Sequence, residues 1–477
     1  MRAVLALDQG SHASRAVVFD AAGCECATAE VAVATVRRGD DEVEHDAEEL
    51  LASMHAAASR ALRAAAAADP GLELAATGLA TQRSTFLCCE RGTLRPLTPA
   101  ISWQDRRNAS WLESLRAQEP RVRALTGLPL SAHYGASKIR WCLDHVPAVR
   151  AAAAQGTLQV LPLAAWLVGR LTGHPMVDPA NAARTLLWDS AALAWSAELC
   201  TLFGIEADWL PPCGPTRGAY GHVDIEGVSI PLRACTGDQS AVPYAAGRPD
   251  PFTAYVNLGT GAFIQRPLAQ RPLAPEPLLG SILCVDEHGP LYSLEGSVNG
   301  AGAAVAWFAG AAGVPEATLW PRFEALPGSI EPPLFLNGVG GLGSPWWRAQ
   351  FPSRFVGEGD ADARFAAVVE SIAFLIAENL ERMVGPRESL RRIVLTGGLS
   401  RSDGLCRRVA TLLGARVERG LPEATARGTA ALAAPDLARG WSHDGVRAFA
   451  PGEDARLIAR RSRWREAMRA ALDRTVL

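Results

Sequence analysis

The sequence predicts two related α/β domains facing each other across a cleft. Three observations carry this expectation. The chain has 477 residues, too many for one ordinary hydrophobic core. A strand, a glycine turn and a second strand open it, and the same grammar returns near residue 253. Between the copies, Ala246 to Pro251 carries Gly247, Pro249 and Pro251 and reads as a hinge. Hairpins that alternate with helices and further strands belong to the α/β layer class.

Each element follows from local chemistry. Val4 to Asp8 is a short apolar strand, Gln9 to Arg15 a polar connection, and Ala16 to Asp20 a second strand. Helical periodicity runs from Ala47 to Ala68 behind Asp46, an N-cap. A strand from Ala76 to Thr81 delivers Gln82 and Arg83 to its end. In the second copy, strands Thr253 to Leu258 and Ala262 to Gln265 flank Gly259-Thr260-Gly261. A helix from Ser297 to Ala309, a long striped helix from Ala361 to Val384 and a strand from Arg392 to Thr396 come next. The turn Gly397-Gly398-Leu399-Ser400 and a helix from Asp403 to Leu413 complete that half. The expected domains are therefore 1–246 and 252–435. The arginine-rich tail 436–477 ends in a surface helix from Asp454 to Leu477.

Composition narrows the function. Apolar residues are 48% and charged residues 20%, as in soluble globular proteins. A net charge of −3 gives no overall attraction to nucleic acid or anionic membrane. No apolar run has the length of a membrane span, and Asp8 falls too early for a secretory leader. The ten cysteines lack zinc spacing and read as reduced thiols, so the expected compartment is the cytoplasm. Among 47 basic residues, Lys138 is the one lysine.

Four segments carry chemistry. Around Gly10, backbone N–H groups can converge on phosphate oxygens, with the Ser11 and Ser14 hydroxyls and the Arg15 guanidinium adding bonds. Asp8, at a strand end, can hold Mg²⁺ through water. Gly259, Thr260 and Gly261 permit the same close approach, with a hydroxyl for a terminal phosphate. Asp238, after Gly237 and just before the hinge, is placed as a general base. Gly397 and Gly398 offer bare backbone to a flat nucleotide. Each segment alone is also an ordinary turn. Together they describe a phosphoryl-transfer site, which needs positioning, Mg²⁺ and a base more than covalent chemistry.

The order Asp8-Gln9-Gly10, Gln82-Arg83, Trp103-Gln104-Asp105-Arg106-Arg107, Gly237-Asp238-Gln239, Gly259-Thr260-Gly261 and Gly397-Gly398 resembles the FGGY carbohydrate kinases, most nearly glycerol kinases. Asn181 to Thr185 and Leu294-Glu295-Gly296 add to the resemblance, which covers about residues 1 to 435. It implies the duplicated actin-like ATPase (ribonuclease H-like) fold with an interdomain cleft. It also implies ATP and Mg²⁺ as cofactors, with Asp8 and Asp238 at the metal. Arg83, Trp103, Asp238 and Gln239 would hold a small polyol or sugar, with Phe263 and Trp103 walling its carbon skeleton. Thr260 would meet the γ-phosphate. Gly10, Ser11, His12, Arg15, Gly259, Gly261, Gly302, Gly397, Gly398 and Ser402 complete the ATP side. No nucleic acid or membrane partner is implied, and a homodimer is left open.

Three positions depart from that pattern. Ser84 stands where a glutamate is usual, His133 aligns with a usual tyrosine, and His12 replaces a threonine. His12 either donates to phosphate or packs at its turn. Losing a carboxylate removes a charge-assisted bond and opens space, so a tetritol or a ketopentose such as xylulose becomes an alternative acceptor. The other rival is a non-kinase ATP-binding regulator on the same fold.

Overall fold

A computed structural model describes residues 2–273, 275–326, 330–385, 389–441 and 446–474. The parts of the tail expectation at 442–445 and 475–477 lie outside the described residues.

The first half is built on a six-stranded sheet. Its strands are β1 (Arg2–Gln9), β2 (Ala13–Asp20), β3 (Glu25–Ala32), β4 (Glu73–Thr81), β5 (His222–Ile225) and β6 (Val228–Gly237), in the order β5-β6-β4-β1-β2-β3. β1, β4 and β6 run parallel, with Asp8 opposite Ala80 and both Gln9 and Gly237 opposite Thr81. The carboxyl ends of all three strands are therefore level. This register brings Asp8, Arg83 and Asp238 together from positions far apart in the chain.

β1 is apolar from Ala3 to Leu7 because both of its faces are covered there. Ala3, Leu5 and Leu7 pack into the core under α1 (Ala47–Ala68). Val4 and Ala6 face the opposite layer, which contains Ala426 and Ala430. Asp46 caps α1 as expected, accepting from the N–H groups of Glu48 (2.8 Å) and Glu49 (3.1 Å). A smaller five-stranded sheet, from Val36–Arg38 to Leu158–Pro162, adjoins the first. With α2 (Gly135–His145) it forms a third core around Phe86, Ile139 and Cys142.

The second half repeats the plan. β7 (Thr253–Leu258), β8 (Ala262–Leu268), β9 (Leu279–Asp286), β10 (Gly289–Val298), β11 (Arg392–Thr396), β12 (Arg416–Arg419) and β13 (Arg447–Phe449) lie in the order β9-β10-β8-β7-β11-β12-β13. β7 and β11 are parallel, with Asn257 opposite Thr396, so both glycine turns of this half leave the same sheet edge. The helices α3 (Gly302–Ala312), α4 (Ala361–Met383) and α5 (Asp403–Leu413) cover it.

Several expectations are corrected. The helix expected from Ser297 begins at Gly302, because Ser297 and Val298 pair with Phe263 and Ala262 and extend β10. β2 begins at Ala13, and alternation along it turns Ser14 inward, onto Gln9 (2.9 Å) and Ser53 (2.6 Å). Ser14 is thereby removed from the phosphate turn. α6 (Ala424–Ala433), at the end of the second half, packs on β1, β4 and β6 of the first. Its Gly428 lies so close to Ala241 that a Cβ would stand 1.9 Å from the carbonyl oxygen. The C-terminal helix α7 (Ala455–Arg474) is not a surface appendage. Trp464 is fully buried in the second core, and Arg460 and Arg461 meet Glu370 and Glu378 of α4. Its arginines are partners for buried carboxylates, which a reading by charge alone took for a solvated face.

Candidate active site

The strand ends of both halves meet at the seam between them. Asp238 opens a short helix directly after β6, and its carboxylate accepts from the Gln239 N–H at 2.7 Å. Burial pushes its pKa up, while Arg83 and Arg184 pull it back. Asp8 is pushed to about 7, first by burial and then by the charge of Asp238. Each carboxylate thus lies in the field of strand-end charges that the register assembles. Gln239 also reaches across the seam, accepting from Asn257 Nδ2 of β7 at 3.2 Å.

Arg83 is half-buried at the end of β4, with its guanidinium set in a fork on Glu295 of β10. Its two terminal nitrogens donate to Glu295 Oε1 at 2.8 Å and Oε2 at 3.1 Å. Arg184 and Gln265 also donate to Glu295. Burial alone raises the Glu295 pKa, but Arg184 and Arg83 outweigh it and hold the carboxyl well below its ordinary range. Its oxygens are fully engaged within the protein, so Glu295 does not replace the acid missing at Ser84. Ser84 has a φ of 64°.

Trp103 and His133 stand beside these groups. Trp103 Nε1 donates to Ser11 Oγ at 2.9 Å, and Ser11 donates to Gln82 Oε1 at 2.9 Å. The Ser11 hydroxyl therefore links the first turn to the Trp103 loop rather than standing free. His133 Nδ1 lies 3.2 Å from the Trp103 carbonyl oxygen. This contact assigns the proton to Nδ1 and leaves Nε2 as an acceptor. The ring is solvent-accessible yet hemmed by protein. Burial and then Lys138 lower its pKa, with Arg106 acting the same way, against smaller opposing effects of the Trp103 carbonyl and Asp105.

On the phosphate side, Gly10 closes its turn onto the Ala13 carbonyl at 3.0 Å, with His12 exposed at the tip. Arg15 is engaged elsewhere, by Glu423 at 2.5 Å and by Glu30. Gly259 and Thr260 are exposed, and Gly261 lies against the Val298 carbonyl. Phe263 is half-buried on β8, opposite Asn257. The Gly302 N–H donates to the Gly259 carbonyl at 3.0 Å, so Gly302 buttresses this turn from beneath. Gly397 adopts φ 82° within 2.5 Å of the Leu258 carbonyl, measured from where a Cβ would lie. Gly398 faces open space, as an approach by a flat ring requires. Ser402 is buried, caps α5 through Leu405 N–H at 3.1 Å and donates to Glu324 at 2.6 Å. Its hydroxyl is taken up by helix capping.

Reading by motif missed the roles of Glu295, Arg184, Asn257 and Lys138. Glu295 and Arg184 lie in segments that contribute to the resemblance, yet their pairing spans 111 residues and has no local signal. A surface hollow of about 420 Å³ lined by Arg2, Ala75 and Arg233 lies toward the opposite ends of β1 and β4, away from these groups.

Residues 3–254 match the N-terminal domain of the FGGY family of carbohydrate kinases, and residues 254–436 match its C-terminal domain. The glycerol kinase of Bordetella parapertussis is 36% identical over 497 residues, covering 98% of this chain and 96% of that protein. Among solved structures, Plasmodium falciparum glycerol kinase with ADP superposes with a TM-score of 0.87 at 22% identity, covering 99% of this chain and 98% of that one. A protein described as a xyloylose kinase from Brucella ovis gives 0.84 at 23%, covering 98% of each chain. With both halves matched and the relatives aligned nearly end to end, the chain belongs to the FGGY family of carbohydrate kinases.

Proposed function

We propose that this protein is an ATP-dependent kinase that phosphorylates a hydroxyl of a small polyol or sugar, glycerol-kinase-like, with Asp238 as general base. The observation that carries the reading is the level register of β1, β4 and β6, which gathers Asp8, Arg83 and Asp238 at one edge. Family membership and the 36% identical glycerol kinase support it. Asp238 accepts the acceptor's hydroxyl proton while the acceptor oxygen forms its bond to the γ-phosphorus and the bond to ADP breaks. Arg83, held by Glu295, and the Gln239 amide orient the acceptor. Trp103 and Phe263 flank its carbon chain. Backbone N–H groups of the turns at Gly10 and Gly259 to Gly261 face the phosphates.

Two half-buried carboxylates, with the charge of Asp238 raising the proton affinity of Asp8, suit a divalent cation. Asp8 and Asp238 would hold Mg²⁺, which supplies charge neutralisation on the phosphates when bound. Among the described residues no third ligating side chain joins them, in keeping with an ion that keeps several waters.

A ketopentose acceptor is the second reading, favoured by one observation. With Glu295 engaged by Arg83 and Arg184 and Ser84 in place of an acid, this edge has one carboxylate fewer to accept from an acceptor hydroxyl. An ADP-release screen over glycerol, tetritols and pentuloses separates the two, since the true acceptor gives the high kcat/KM. ATP turnover indifferent to every acceptor overturns both readings and supports a non-kinase regulator.

The His133 tautomer predicts a pH dependence. Above its lowered pKa, neutral His133 accepts a hydroxyl at Nε2. Below it, the protonated ring loses that lone pair. Acceptor KM is therefore expected to rise roughly three- to tenfold as pH falls through that lowered pKa, the worth of about one hydrogen bond. His133→Phe removes this limb of the KM profile. A KM limb unchanged in that variant assigns the titration to another group.

A further inference from the structure

Lys138 is the one lysine in the chain, and it is completely buried on α2. Its Nζ donates to the Ser102 carbonyl at 2.7 Å and to the His133 carbonyl at 3.0 Å. The Ser102 carbonyl belongs to the same peptide plane as the Trp103 N–H, which donates to Thr85 Oγ1 at 3.0 Å. That plane is thus gripped on both sides, by Lys138 and by the residue next to Ser84. The His133 backbone is held by the same ammonium, and its ring then meets the Trp103 carbonyl at 3.2 Å. Asn108 Nδ2 adds a bond from the Trp103 loop to the Ser137 carbonyl on α2 at 2.9 Å.

We propose that Lys138 is the positioning residue of the acceptor site, holding the Trp103 and His133 segments together from beneath so that both side chains face the acceptor. The proposal rests on the kinase reading above for the meaning of "acceptor", but not for the clamp itself. A compact ammonium with rotatable donors suits two converging carbonyls in a closed space. A planar guanidinium does not, in a chain that otherwise uses arginine throughout. Two segments about thirty residues apart need an anchor beyond the single His133–Trp103 and Asn108–Ser137 contacts. A buried amine whose donors satisfy both of them supplies one. The Trp103 ring in turn donates to Ser11 Oγ, which fixes the orientation of the indole.

Lys138→Met keeps the stem and removes the donors. With glycerol, erythritol and D-xylulose as acceptors, it is expected to raise acceptor KM roughly ten- to a hundredfold, as small misplacements do. ATP KM should stay near that of the parent. In a His133→Ala background the same substitution should raise acceptor KM by much less, because the two act on one contact. Hydrogen exchange in Trp103 to Asn108 and Ser131 to Tyr134 should accelerate, with the second half unchanged. Should the parent phosphorylate none of the three acceptors, the glycerol, tetritol and ketopentose assignments fail, and exchange alone decides the clamp. Lys138→Gln, which retains two N–H donors, is expected to recover part of both effects and serves in place of a variant that does not fold. Unchanged KM and exchange, exchange raised throughout the first half, or failure of both variants to fold overturns the proposal. Each of these makes Lys138 either idle or a general core requirement.

Discussion

Asp238→Asn is expected to lower kcat by about three orders of magnitude, within the range contributed by a positioned general base, while ATP affinity stays nearly unchanged. An amide cannot take the acceptor's proton, yet it keeps the shape and can still accept from the Gln239 N–H. The substitution also removes one of the charges that lift Asp8, so Asp8 should titrate at lower pH in the variant than the value of about 7 in the parent. Steady-state kinetics with the best acceptor from the screen and a nucleotide-binding titration measure the two parts separately. Turnover close to that of the parent removes Asp238 as the base.

The second large effect is on stability. Glu295→Ala leaves Arg83 and Arg184 in the interior without their carboxylate. Side-chain exposure is 9% for Arg83, 6% for Arg184 and 7% for Glu295, so water offers little compensation. Removing one partner of a buried ion pair costs about 3–5 kcal/mol, a large share of the roughly 5–15 kcal/mol that holds a domain folded. The Glu295 pKa is depressed on folding, so its contribution is complete above the unfolded value near 4.5 and is lost as pH falls through the lower folded value. Chemical denaturation at neutral pH reads the loss. A change below about 1 kcal/mol, the scale of an exposed pair, contradicts the assignment of Glu295 as the buried tie between the halves. Acceptor kcat/KM should fall as well, because Arg83 loses the group that orients its fork.

The hairpins, the N-cap at Asp46 and the strands at 253–258 and 392–396 were legible from alternation and turn residues alone. Ser402 was not, because its hydroxyl serves as a helix cap in a segment whose glycines pointed to nucleotide. Neither was the C-terminal helix, because arginines bound to buried glutamates have the same composition as arginines in water.

The residue pattern by itself determined that the chain folds as two hairpin-led α/β halves with Asp8, Arg83 and Asp238 at strand ends, since local periodicity and turn chemistry act over a few residues. Only the tertiary structure decided which charges are paired. Glu295 takes both Arg83 and Arg184, Glu423 takes Arg15, and Lys138 carries two backbone carbonyls. Whether a charged side chain is available to a ligand depends on partners brought within hydrogen-bonding distance by long-range packing, and sequence separation carries no record of that distance.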